Sequence, residues 1–205
     1  MLKKIDILGI EVDNYTVREA MMQVENYLDN TIMNTIETID MKMLELAGQD
    51  ETVRACIEQL DLAVIGEKEI LIAADVHSSQ RLSETINHDF FREFIKRIIR
   101  NHKRVFLLAE TIAQEEQLEH FLVGKYEQIE VAGHCAIEEK SNDFESVVNE
   151  INSASTDVIF SILPSPLQEQ FLTENKSKLD AKIWYGLSSD YAPRSRISRI
   201  SQIAG

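Results

Sequence analysis

Chain breakers are scarce: three prolines and seven glycines in 205 residues. No Gly/Ser-rich linker, repeat or low-complexity tract divides the chain, and neither a Walker loop nor a G-x-G-x-x-G occurs. A classical NTPase or dinucleotide site is therefore unsupported. The two cysteines, Cys56 and Cys135, lack C-x-x-C spacing, which argues against a disulfide scaffold. Both read as small buried hydrophobes in a reducing cytoplasm. No apolar run reaches about 18 residues, so no transmembrane helix is offered. The N-terminal Met1-Leu2-Lys3-Lys4-Ile5-Asp6 lacks the uninterrupted apolar stretch of a signal peptide. Positive charge is also short, 21 Lys and Arg against 35 Asp and Glu for a net −14. Nucleic-acid binding needs the opposite balance. Anionic lipid or nucleotide is repelled unless cations are concentrated locally. The one basic cluster is Arg194-Ser195-Arg196-Ile197-Ser198-Arg199, read either as a solvated tail or as a membrane- or phosphate-facing segment. The five histidines are scattered, and the adjacent His134-Cys135 has poor chelate spacing, so no metal is expected. A G-x-S-x-G nucleophile elbow is missing too.

What remains is a globular composition, 44% hydrophobic and 27% charged, long enough to bury a substantial core. Strand-like runs cover 5–10, 33–38, 62–65, 70–74, 105–108, 129–132, 158–163 and 183–187. Helical patterns lie between them, over 16–28, 41–47, 51–60, 89–100, 113–122, 143–152 and 166–174. Asn14 or Thr16 caps the first helix, with Glu19 as a capping-box partner of Thr16. Strand–helix alternation predicts a single α/β domain, Rossmann-like, with a largely parallel sheet covered by helices on both faces. The alternation is most regular from Lys103 onward. Ligands of such sheets bind beyond the carboxyl ends of the strands, which directs attention to the loops after Leu108, Ala132, Leu163 and Leu187.

The loop Leu163-Pro164-Ser165-Pro166-Leu167-Gln168-Glu169-Gln170 follows a strand and opens a helix. Ser165 reads as a cap and Pro166 as the first helical residue. Free backbone N–H groups there favour an anion, with Gln168 and Glu169 in the first turn beside it. An ordinary capped helix with an acidic first turn fits the same residues equally well.

Several segments together resemble the WecB/TagA/CpsF family of bacterial glycosyltransferases. Ile7-Leu8-Gly9-Ile10-Glu11-Val12-Asp13-Asn14 is similar to the family's opening strand and turn. Thr38-Ile39-Asp40 resembles its T-x-N segment, with Asp40 in place of asparagine. Arg104-Val105-Phe106-Leu107-Leu108 resembles the central strand, and Ser165-Pro166-x-Gln168-Glu169 its G-S-P-K-Q-E motif. Ala192-Pro193 is similar to the end of its R-A-P element. The resemblance implies a Rossmann-like donor-side half over 103–205 and an acceptor-side half over 1–102. It also implies a UDP-sugar donor, a polyprenyl-linked acceptor, no metal cofactor, a homo-oligomer, and at most peripheral contact with the inner face of the membrane. Thr38, Arg81, Ser165, Gln168 and Glu169 become its expected substrate-binding residues.

Departures from the family pattern share a direction. The family's P-D-G aspartate, its proposed general base, falls on Gly66, which leaves Glu67 and Asp40 as substitutes. Ala109-Glu110 replaces a Gly-Gly turn, Ile137-Glu138-Glu139 replaces G-Y-F, and Leu167 replaces the lysine of the S-P-K-Q-E loop. The stretch before R-A-P is shortened to Gly186-Leu187-Ser188-Ser189-Asp190-Tyr191, and the chain stops at Gly205 without most of the family's C-terminal appendage. Each change removes a glycine, cation or base, or adds a carboxylate near the donor. Two functions follow: a divergent homologue with a degraded donor site and weak or no transfer, or an active N-acetylhexosaminyltransferase with a relocated base. The losses favour the first, and the retained Thr38, Ser165, Gln168 and Glu169 favour the second.

Overall fold

The computed structural model describes residues 3–187. The basic cluster 194–199, the Ala192-Pro193 element and Ser188 to Tyr191 lie outside them. Six parallel strands form the central sheet in the order β4-β3-β8-β7-β5-β6. They are β3 (Asn34–Ile39), β4 (Leu62–Ile65), β5 (Arg104–Ala109), β6 (Glu130–Ala136), β7 (Val158–Ser161) and β8 (Ile183–Gly186). Strands β3, β7 and β8 are buried throughout, as expected when helices cover both faces of a parallel sheet.

The two-residue period of a strand sorts its side chains between two cores. Val105, Leu107, Phe160 and Tyr185 enter one, whereas Phe106, Leu108, Ile159 and Trp184 enter the other. The first core is covered by α1 (Val17–Asp29), α6 (Asp89–Arg100) and α7 (Ile112–Lys125); the second by α8 (Phe144–Ser153) and α9 (Leu167–Asn175). On α6, Phe90, Phe91, Phe94, Ile95 and Ile98 form one buried stripe at helical spacing. Phe94 meets Tyr185 edge to face at 5.0 Å between ring centroids, which fixes the ring whose hydroxyl reaches the carboxyl end of β3. Strand β5 leads outward to β6, while β7 leads the other way to β8, so the winding reverses between β7 and β5. Crevices open beside such reversals.

The structure corrects several expected elements. Residues 5–10 are not one strand but a hairpin, β1 (Lys4–Ile7) paired antiparallel with β2 (Ile10–Asp13). Leu8 and Gly9 both take positive φ, 55° and 79°, as a two-residue primed turn requires. The hairpin buries Ile5, Ile7, Ile10 and Val12 against a third core built from α2 (Met41–Ala47), α3 (Glu51–Glu58) and the outer strands. The run 70–74, expected as a strand, is helix α4 (Lys68–Ala73), in which adjacent Ile70 and Leu71 are buried and Ile72 is exposed. Short apolar runs do not distinguish the two states by period alone. Helix α5 (Ser79–Ile86) has no sequence counterpart because its buried face carries Arg81 and Thr85. The sixth strand runs on to Ala136, past Ala132. Thr16 caps α1 with Glu19 in the expected box, and both cysteines are buried and free, as read. Among the described residues, no helix is long and apolar enough to cross a membrane.

Candidate active site

A cleft at the carboxyl ends of β3, β7 and β8 brings together four residues singled out from the sequence: Thr38, Asp40, Ser165 and Gln168. Thr38, next to last in β3, faces the Tyr185 side, where its hydroxyl donates to Tyr185 Oη at 3.4 Å. Asp40 follows β3 and caps α2, its Oδ1 accepting from Met43 N at 2.7 Å. Lys42, one residue into that helix, also lines the cleft and is the only cation among the described residues that does. Sequence reasoning missed it, since an exposed lysine on a helix has no signature.

Gly66 has no room for a side chain. A Cβ there would lie 2.6 Å from Thr38 Cγ2 and 3.0 Å from Ile39 O, the oxygen that accepts from Gly66 N. The position expected to hold the family's aspartate is therefore filled from the neighbouring strand. Glu67 neither lines the cleft nor extends into bulk water: its Oε2 accepts from Met41 N at 3.2 Å. Asp40 and Glu67 together anchor the first turn of α2, and of the two only Asp40 belongs to the cleft wall.

Beneath the cleft lies a buried acidic pair. On the Trp184 side of β3, Glu37 is fully buried and its Oε1 accepts from Trp184 Nε1 at 3.3 Å. Loss of solvation, reinforced by the negative Glu169, pushes the Glu37 carboxyl up to about 8. Glu169 is buried as deeply, and Ser165 Oγ donates to its Oε1 at 2.6 Å. Burial also raises the Glu169 carboxyl, against the opposing pull of that hydroxyl. Glu37 thus holds its proton at neutral pH. Among the described residues, Glu37 Oε2, Glu169 Oε2 and Gln168 Oε1 are buried with no hydrogen-bond partner. Glutamate in a strand covered on both faces was not anticipated, because four of the six residues of Asn34–Ile39 are polar and none of them signals burial.

Three expectations are corrected here. Ser165 does not cap α9; Pro166 takes the cap position without a side-chain bond, after a cis Ser165–Pro166 peptide, and the Ser165 hydroxyl is used by Glu169. Glu169 does not line the cleft: it is fully buried and accepts from Ser165. Arg81 is not a free cation: it is 5% exposed, with Nε donating to Asn14 Oδ1 and Nη1 to Glu84 Oε2, both at 3.2 Å. Glu84 Oε2 also accepts from Val17 N at 3.1 Å, so this network ties α5 to the start of α1. Arg81 lines a separate pocket with Asp13, Thr85 and His88, apart from Thr38 and Gln168.

Gly186, which ends β8, is packed closely against the cleft residue Gln168. A Cβ added there would meet Gln168 Nε2 at 2.6 Å and Glu37 Cγ at 2.8 Å. Gly186→Ala is therefore expected to destabilise by about 1–3 kcal/mol and to displace the Gln168 amide. Thermal unfolding together with ligand titration checks both effects; an unchanged midpoint would rule out the contact.

Comparison with known proteins accords with this geometry. The model of the "Glycosyl transferase WecG/TagA/CpsF family" matches residues 5–189. An N-acetylglucosaminyldiphosphoundecaprenol N-acetyl-beta-D-mannosaminyltransferase of Staphylococcus aureus (strain MRSA252) is 25% identical over 192 residues, 90% of this chain and 72% of that protein. The enzyme of the same name from strain NCTC 8325 / PS 47 is 24% identical over the same shares. A parallel α/β sheet with its cleft at the strand carboxyl ends, and a family match over almost the whole chain, place this protein in the WecG/TagA/CpsF glycosyltransferase family.

Proposed function

We propose that the chain transfers an N-acetylhexosamine from a UDP donor to a polyprenyl-diphosphate-linked acceptor in cell-envelope assembly, with Asp40 as the base. The observation that carries this reading is the position of Asp40: among the described residues, the one carboxylate in the cleft wall, beside Thr38, Gln168 and Lys42. In the proposed step, Asp40 takes the proton of the acceptor hydroxyl as its oxygen attacks the anomeric carbon. The bond from that carbon to the diphosphate oxygen breaks, and UDP leaves with the electron pair. Lys42 offsets charge on the departing diphosphate, and Gln168 orients the sugar or acceptor by hydrogen bonds. Glu67 acts through Asp40, by holding the first turn of α2.

A second reading is a member that binds the donor and turns it over weakly or not at all. It is supported by Gly66, where packing against Thr38 leaves no space for a carboxylate.

Calorimetric titration with UDP, UDP-N-acetylglucosamine and UDP-N-acetylmannosamine, paired with a mass-spectrometric transfer assay on a short-chain N-acetylglucosaminyl-diphosphopolyprenol acceptor, separates the two. Micromolar binding with product formation is the expected result. Binding without product supports the second reading, and no heat up to millimolar ligand removes both.

A further inference from the structure

A cluster of ligand-type side chains lies away from the cleft, where α7 packs on β5 and β6. Glu115 and Glu119 stand one turn apart on α7, and His134 projects from β6 to meet them. One donor atom from each residue falls within 4.8 Å of the other two. His134 Nδ1 lies 3.2 Å from Glu115 Oε2. A tetrahedral ion with bonds of about 2.0–2.1 Å sets its donor atoms roughly 3.3 Å apart.

An ion pair between Glu115 and His134 accounts for only part of this arrangement. Glu115 is 3% exposed, and its second oxygen, Oε1, is buried without any hydrogen-bond partner. Leaving a carboxylate oxygen buried and unpaired is costly. Glu119 is drawn to the same point although it repels Glu115, and the other charged side chains acting on Glu115 are Glu116 and Glu139, both negative. A cation resolves all three features together. One imidazole with two carboxylates selects for a transition metal over Mg²⁺ or Ca²⁺, which prefer all-oxygen shells.

We infer that Glu115, Glu119 and His134 form a site for a divalent transition metal of the zinc class that fastens α7 to the edge strand β6. The half-exposed His134 gives the ion access from solvent. Three protein ligands leave one coordination position for water or an external ligand. The sequence expectation of no metal weighed His134 only against its chain neighbour Cys135. The partners come instead from a helix that precedes it in sequence and packs against it.

The test uses the full chain, free of any histidine tag and stripped with chelator, titrated with Zn²⁺ by calorimetry and with Co²⁺ by visible absorption. One equivalent of Zn²⁺ is expected to bind. At about a hundredfold excess over Kd it should raise the unfolding midpoint by roughly 5–10 °C, and Mg²⁺ should leave it unchanged. Glu119→Gln and His134→Asn should each weaken Zn²⁺ binding about tenfold or more. Both positions are away from the core, and the unfolding midpoint of each metal-free variant verifies that it folds. Failure to bind Zn²⁺ more tightly than roughly 100 µM overturns the inference, as does unchanged affinity in both variants.

Discussion

Glu37→Gln is expected to make the protein more stable at pH 8.5, by about 3 kcal/mol, and to flatten its stability between pH 4.5 and 8. Glu37 is fully buried, and its carboxyl rises from the ordinary 4.5 to about 8 in the folded chain. Between those values the folded state holds a proton that the unfolded state has released. Stability is therefore fully present below pH 4.5, declines as pH rises, and levels off above about 8. Glutamine mimics the protonated acid at every pH and keeps an acceptor for Trp184 Nε1, so the variant lacks this decline. Glu169 is shifted in the same direction by burial, and its contribution to the slope remains in the variant. Denaturant unfolding at pH 5, 7 and 8.5 for both proteins measures the effect. A wild-type slope that survives unchanged in the variant would place the proton elsewhere.

The second large effect concerns catalysis. Asp40→Asn should lower transfer by about 10²–10⁴-fold, the usual contribution of a positioned base. Asparagine keeps a side-chain oxygen to accept from Met43 N, so the fold and UDP binding should persist. Glu67→Gln should cost far less, because Glu67 reaches the reaction only through the Met41 amide, which glutamine still caps. Comparing the kcat loss of the two variants decides between them. Equal losses, or a larger one for Glu67, would move the base to Glu67 and overturn the assignment to Asp40.

The parallel sheet was legible because its strands are short β-rich runs separated by amphipathic helices, and α6 announces itself through one stripe of phenylalanine and isoleucine. Ser165 and Gln168 could be anticipated from the loop that follows β7, whereas Thr38 and Asp40 were marked only by the family resemblance. Arg81 could not be placed, since an arginine beside polar residues reads as exposed; Glu84 is one turn along the same helix, but its other partner, Asn14, is supplied only by tertiary structure. Helix α5 was hidden for the same reason, its buried face being polar. Glu37 escaped because burial on both faces of a sheet depends on strand order, and β8 reaches β3 only after most of the chain has been laid down. The buried carboxylate pair and the hold of Asn14 on Arg81 are both tertiary facts, set by side chains remote in sequence.

The contact between Gly66 and Thr38 also sets what a side chain at 66 would require of its surroundings. A carboxylate introduced at 66 by one substitution would bring its Cβ within 2.6 Å of the Thr38 methyl group and 3.0 Å of Ile39 O, so β3 or the turn after β4 would have to shift to admit it. The spacing of two neighbouring strands, and not the identity of residue 66 alone, thus decides whether this cleft can take a second carboxylate.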